Sequence, residues 1–331
     1  MSDQTNLETE GIVFKKSQGS YVVKVAEQMV ACSLPSRLRK ELIHPTSADW
    51  SAGPRRVQTV RRIRVLDPVA VGDLVRIEDQ GDGTGRILEV LPRENRVMRD
   101  AVGVKDMEQV IAANLDQVVP IIAAAEPDPR WQLLDRYLAV AEMSDIPALI
   151  CLTKTDLVAE AEIGPIAQIY ERLGYQVILT SAVTGAGIDQ FKAAMQDKIS
   201  LLMGMSGVGK TTLLNILQPE LGLRVGEISQ ATGKGRHTTT TQEMFPLDGG
   251  GYLIDTPGMK YFGLWDVEPA DLATLFVEMF PLVGQCQFRL DCTHTHEPDC
   301  AIKAAVEAGQ ISRLRYENYV HIHQELHALD K

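Results

Sequence analysis

The run Gly204-Met205-Ser206-Gly207-Val208-Gly209-Lys210-Thr211 has the residue types needed to hold phosphate. Glycines let a backbone curl until successive amide N–H groups face one point, and a helix that starts there adds the positive end of its dipole. Lys210 is spaced to reach β- and γ-phosphates, Thr211 to bring a hydroxyl to Mg2+, and Thr212 continues the same helical start. Asp255-Thr256-Pro257-Gly258 follows an apolar run, which puts the Asp255 carboxylate at a strand end where it can hold Mg2+ through water. Gly258 leaves its N–H open to the γ-phosphate. Thr153-Lys154-Thr155-Asp156 has the chemistry to choose a base: a carboxylate accepts from both N1–H and the exocyclic amine of guanine, and adenine offers no such donor pair. Asp156 therefore selects GTP over ATP, with the Lys154 stem along the base plane. Thr153 stands where Asn is usual and brings a shorter hydroxyl, and Ser181-Ala182 fits a backbone loop beside the guanine O6.

The order of these segments is inverted. The base-reading residues 153–156 and 181–182 precede the phosphate loop 204–211, and Asp255 follows it, as in a nucleotide-binding domain cut and rejoined by circular permutation. Between loop and Asp255 lies Gly233-Lys234-Gly235-Arg236-His237-Thr238-Thr239-Thr240-Thr241, glycines flanking hydroxyls, which suits a switch that orders when a threonine meets Mg2+ and γ-phosphate. After Gly258 comes Met259, whose thioether cannot orient an attacking water. His237 is the candidate for that catalytic task, an exposed loop histidine being the alternative.

A second cluster has the chemistry of a metal site. Cys286, Cys292 and Cys300 fall within fifteen residues, interleaved with His294 and His296. Three thiolates and one imidazole make a closed tetrahedral set for one structural zinc ion, with His294 or His296 as the nitrogen ligand. Five cysteines are an odd count for a disulfide framework, and this clustering fits metal in a reducing cytosol; Cys32 and Cys151 sit in apolar runs as core residues.

The elements that must position these residues change in texture along the chain. Over the first hundred residues, short alternating runs (Gly11–Phe14, Tyr21–Val25, Val57–Val60, Leu74–Ile77 and Gly85–Val90) separated by turns predict a small five-stranded β-barrel of the oligonucleotide-binding (OB) type. Residues 44–54, rich in breakers around Trp50, read as a mobile loop. From about Ala112, apolar runs alternate with helical patterns, as expected of a largely parallel sheet covered on both faces. The first of these runs, 118–123, contains Pro120, which cannot donate to a central ladder. Beyond Trp265 the pattern is helical around the cysteines, ending in one helix over 311–329. The expected division is 1–104, an OB-fold RNA-binding domain; 105–265, a permuted GTPase domain of the α/β P-loop class; and 266–331, an α-helical zinc-binding domain.

Charge separates these parts. The chain carries a net −11, but residues 1–104 hold 16 basic against 14 acidic side chains and the remainder 17 against 30. Within residues 36–64, Arg37, Arg39, Lys40, Arg55, Arg56, Arg61, Arg62 and Arg64 oppose only Glu41 and Asp49, a local patch suited to phosphate backbones. No stretch of 18 apolar residues occurs, and the opening Met1–Thr5 lacks basic and apolar secretory character, so neither membrane nor secretion is expected.

Taken together, the permuted order, the N-terminal barrel, Gly-Arg-His-Thr-Thr-Thr at 235–240, Asp-Thr-Pro-Gly followed by Met259 and the terminal Cys/His cluster closely resemble the YjeQ/YloQ (RsgA) family of bacterial ribosome biogenesis GTPases over nearly the whole chain. The resemblance implies a cytoplasmic monomer with an OB-fold domain, a circularly permuted GTPase domain and a C-terminal zinc domain. It also implies partners: GTP and GDP, and the small ribosomal subunit with its rRNA, bound late in maturation, with hydrolysis stimulated by the subunit and coupled to release. Family spacing makes His294 the zinc ligand rather than His296. Departures are Thr153 in place of Asn, a first cysteine pair one residue wider than is common, and the long loop around Trp50. A P-loop ATP enzyme would require an adenine pocket; a nucleotide-gated rRNA-binding assembly factor with negligible hydrolysis of its own is the other alternative, suggested by Met259.

Overall fold

The computed structural model describes residues 7–17, 19–35, 40–43, 59–62, 68–100, 108–219, 242–255, 264 and 267–329. Two compact units emerge from them: the described residues up to Asn114 together with 242–244, and the remainder from Leu115 onward.

The first unit contains β1 (Leu7–Ser17), β2 (Ser20–Val25), β3 (Gln28–Ser33), β4 (Lys40–Ile43), β5 (Thr59–Arg62), β6 (Leu74–Asp79), β7 (Thr84–Val90), β8 (Arg96–Asp100) and β9 (Glu108–Ala113). Strands run in the order β1-β2-β3-β7-β6, and β6 pairs back onto β1, closing a five-stranded OB-like barrel. A register shift between Val13 and Lys15 lets β1 serve two neighbours: its first half pairs with β6 and its second with β2. Period-two alternation sends Val13, Tyr21, Val23, Val30, Cys32, Val75, Ile77 and Ile87 into one core.

One barrel strand differs from expectation. Thr59–Arg62, the described part of the run begun at Val57, pairs with Lys40–Ile43 in a separate two-stranded ribbon, and the fifth barrel strand is Gln28–Ser33. The signal in Gln28–Ser33 is weak because only Val30 and Cys32 point inward while Met29 is 52% exposed. Its hairpin with β2 turns on Ala26, at φ +50°, without the glycine or asparagine that normally marks such a turn. The basic side chains of residues 36–64 and the Trp50 loop lie outside the described residues.

The second unit is a parallel sheet with helices. Along the chain come β10 (Gln117–Ala123), α1 (Trp131–Met143), β11 (Leu149–Thr153), α2 (Glu160–Arg172), β12 (Gln176–Leu179), α3 (Ile188–Met195), β13 (Ile199–Met203), α4 (Lys210–Leu217), β14 (Gln242–Pro246, whose residues 242–244 belong to the first unit), β15 (Tyr252–Asp255), α5 (Ala301–Glu307) and α6 (Arg313–Leu329). The parallel order is β12-β11-β10-β13-β15. As its apolar run leads one to expect, β10 is a strand of the sheet, and despite Pro120 it is a central one, buried at every residue. Val118 N–H donates to Pro147 O and Ala124 N–H to Thr153 O, so by alternation the donor that Pro120 lacks falls on the β11 side. The strand forgoes one ladder bond there and keeps its register with β13 through Pro120↔Met203. Val119, Ile121, Cys151, Ile178, Phe191, Leu202, Leu214 and Leu253 build the core between the sheet and its helices.

Helix α6 is fastened to α1 by charge inside apolar surroundings. Arg315, 1% exposed, donates to Asp135 Oδ1 at 2.6 Å and in bidentate fashion to Glu278 at 2.7 and 2.9 Å, while Asn318 Nδ2 donates to Asp135 Oδ2 at 2.6 Å. The guanidinium also lies 4.5 Å from the Phe276 ring centre. Burial raises the Asp135 carboxyl above its ordinary range, and the Arg315 guanidinium in direct contact opposes that shift. Among the described residues no helix is long and apolar enough to cross a membrane.

Candidate nucleotide site and metal centre

Parallel strands present their carboxyl ends at one edge of the sheet, where ligands of open α/β folds bind. At that edge stand Thr153 at the end of β11, Gly204 just past β13, and Asp255, 4% exposed, closing β15. The phosphate-binding sequence forms a turn into α4 in which Gly207 and Gly209 hold φ of +83° and +100°, left-handed values that favour glycine. A side chain at Gly204 would meet the Ile121 carbonyl at 2.8 Å, so this position lets loop and β10 touch. Val208 is the loop's buried anchor, Met205 is half-buried and Ser206 exposed. Lys210 folds back to donate to Gly204 O at 2.6 Å and Met205 O at 2.7 Å. Burial lowers its pKa and Asp255 opposes that shift, which places the two charges in one neighbourhood. Thr211 and Thr212 follow, half-buried in the first turn of α4.

The base-reading segment comes to the same place. Thr153 Oγ1 donates to Val208 O at 2.5 Å, so the residue standing in for Asn braces the phosphate loop. Lys154 adopts φ +57° and its ammonium donates to the Glu126 carbonyl, while Thr155 N–H and hydroxyl both donate to Thr180 O at 3.2 Å. Asp156 is exposed and held by Ser181, whose hydroxyl donates to Asp156 Oδ1 at 2.5 Å and accepts Val183 N–H and Thr184 N–H at 3.2 and 3.1 Å. One donor and two acceptors exhaust the capacity of that hydroxyl, so Ser181 fixes the carboxylate. Ala182 is exposed beside it. His237, Gly258, Met259 and the switch threonines lie outside the described residues.

The metal-ligating residues also converge. Donor atoms of Cys286, Cys292, His294 and Cys300, all buried, lie within 4.8 Å of one another. Cys286 Sγ and Cys300 Sγ are 3.7 Å apart, and His294 Nδ1 is 3.4 Å from each. A tetrahedral ion with metal–sulfur bonds of about 2.3 Å requires sulfur–sulfur edges of about 3.7–3.8 Å, so the set fits such an ion. Burial pushes the Cys292 thiol up to about 12 and lowers the His294 imidazole, leaving His294 neutral with a lone pair to give. His296 points away, its side chain 83% exposed. Cys286 therefore belongs to the set despite the wider spacing. All five cysteines are free, Cys32 and Cys151 in separate apolar cores.

Two buried polar networks, one joining α1 to α6 and one around His294, had little or no signal in the sequence. Asp135, a carboxylate on the buried face of α1 beside Leu133, Leu134 and Leu138, was the signal for the Arg315 network. No pattern announced Glu297, which accepts from Thr293 and Thr295 around His294.

A parallel sheet, a phosphate loop opening a helix, and a base-reading strand end that comes earlier in the chain define a circularly permuted P-loop GTPase. The RsgA GTPase family model matches residues 90–265. The chain is 37% identical over 317 residues to the small ribosomal subunit biogenesis GTPase RsgA of Phocaeicola vulgatus, spanning 95% of this chain and 96% of that relative. It resembles the crystal structure of YjeQ from Thermotoga maritima at TM-score 0.71 and 31% identity, over 97% of this chain and 99% of that one. A similar match joins it to YloQ, a circularly permuted GTPase, at TM-score 0.67 and 28% identity, over 99% and 98% of the two chains. The chain belongs to the RsgA GTPase family, and its reaction is GTP hydrolysis.

Proposed function

We propose that this GTPase binds the small ribosomal subunit through its rRNA late in maturation, and that the subunit stimulates hydrolysis, which drives release. The observation that carries the nucleotide reading is the convergence of Thr153, Asp156, the phosphate loop and Asp255 at one sheet edge, joined by the bond from Thr153 to Val208. In this reading Asp156 accepts from guanine N1–H and N2–H, Lys154 and Thr155 flank the base, and Ser181-Ala182 close it near O6. The amides of 204–209 and the Lys210 ammonium take the phosphates, as does Gly258, and Thr212 lies beside them. Thr211 and Asp255 hold Mg2+, whose charge neutralises the phosphates. His237 orients the attacking water in place of the missing glutamine.

The structural metal is zinc on Cys286, Cys292, His294 and Cys300, a donor set and spacing that suit it. We divide the chain into 1–104 for RNA binding, 105–265 for GTP and 266–331 for zinc, and assign it to the cytoplasm as a monomer; free cysteines are what a reducing compartment maintains. Docking is led by the basic stretch 36–64, because the acidic remainder repels rRNA. Phosphate release from GTP, measured with purified small subunits, large subunits or neither, tests the reading. Acceleration by small subunits alone is expected. A rate indifferent to subunits would favour the nucleotide-gated binding protein that Met259 suggests.

A further inference from the structure

His294 sits on a backbone that needs external support: its φ is +59°, a left-handed conformation unfavourable to a residue with a Cβ. The neighbours on either side, Thr293 and Thr295, are tied to one buried carboxylate. Glu297 Oε1 accepts the Thr293 N–H at 2.8 Å and the Thr293 hydroxyl at 2.6 Å, and Oε2 accepts the Thr295 N–H at 3.1 Å. Thr293 and Thr295 hydroxyls lie 2.7 Å apart, closing the ring. Glu297 is 8% exposed and its own carbonyl accepts from Lys303 Nζ at 3.0 Å, so the residue is held at both ends. The outer edge of the loop is fixed by Tyr319, whose hydroxyl donates to Thr293 O at 2.8 Å, and by Tyr316, which donates to His294 O at 2.9 Å.

Three donors on the two residues flanking His294 are thus committed to one buried side chain beside a metal ligand. We propose that Glu297 is a positioning residue for the metal centre: by gathering the Thr293 and Thr295 donors it holds His294 in the strained conformation that aims Nδ1 at the thiolates. The inference rests on the Cys286, Cys292, His294 and Cys300 cluster taking up a metal. Glutamine is the diagnostic replacement, since its amide keeps one acceptor but turns a donor toward a backbone or hydroxyl donor that the carboxylate satisfies.

The test uses the full chain loaded with zinc, whose affinity is measured by competition with a chromophoric chelator, alongside denaturant unfolding of the metal-free proteins. E297Q is expected to bind zinc about 10–100-fold more weakly, the usual cost of losing an outer partner. Metal-free E297Q is expected to lose less stability relative to metal-free wild type than the zinc-loaded variant loses relative to zinc-loaded wild type. Equal zinc affinity would overturn the proposal, and so would an equal loss of stability with and without metal, which marks a merely structural role. Should E297Q fail to fold, T293V removes one donor and keeps the carboxylate; an approximately fivefold loss of affinity is expected, and no loss overturns the proposal. A wild-type chain that takes up no zinc would instead remove the metal reading beneath it.

Discussion

Thr153 changes the meaning of a substitution that the sequence presents as a deficit. Read as a base contact, a threonine in place of asparagine is short; in the structure it is buried and its hydroxyl reaches the Val208 carbonyl, a contact with the phosphate loop. Its removal is therefore expected to act on loop order. T153V should weaken GDP and GTP by about the same factor, near fivefold for one neutral hydrogen bond, with T153S close to wild type; a fluorescent-nucleotide titration reads this, and a loss confined to the base would contradict it. Asp156, Ser181, Lys210 and the Cys/His ligands were legible because their chemistry fixes residue type and spacing. The direction of a short hydroxyl was not, since it depends on a strand end and a loop 55 residues apart meeting in space. His294 was favoured over His296 only through the spacing of the family resemblance, and exposure and contact agree with that choice.

Elements with long period followed their patterns. Helices Trp131–Met143, Ile188–Met195 and Lys210–Leu217 and strand Ile199–Met203 fall in the stretch where apolar runs alternate with helical patterns, because apolar periodicity over eight or more residues, or a run buried at four of five positions, leaves few alternatives. Strands β3, β4, β8, β9 and β14 were not legible, because strand preference depends on what a segment packs against; β3, for one, sends only Val30 and Cys32 inward and turns on Ala26 rather than on a glycine or asparagine. The α1–α6 contact was also hidden, since Arg315 and Asp135 are 180 residues apart. That buried network carries a prediction of its own. Replacing Arg315 by Met leaves Asp135 and Glu278 as uncompensated charges, and denaturant unfolding is expected to show a loss of about 3–5 kcal/mol. The double variant R315M/D135N should recover part of that loss; additive losses would show that the two charges do not act as a pair.

For the molecule as a whole, charge is distributed against its average. A chain of net −11 is proposed to bind rRNA, and only residues 36–64 offer a dense positive stretch. Reversing Arg61, Arg62 and Arg64 to Glu should weaken small-subunit binding and flatten its salt dependence while leaving GTP affinity unchanged; sedimentation with small subunits across a salt series measures it, and undiminished binding would place the contact elsewhere.

The account depends most on one guanine nucleotide site assembled from segments in inverted order, and base exchange tests it directly. Asp156→Asn replaces a double acceptor by an amide whose N–H suits the O2 of xanthine. Titration of wild type and D156N with GTP, ATP and XTP is expected to show a loss of GTP affinity of at least about 100-fold in the variant, roughly 3 kcal/mol for a lost charged pair of hydrogen bonds, and a gain for XTP. Undiminished GTP binding by D156N would contradict the site described here.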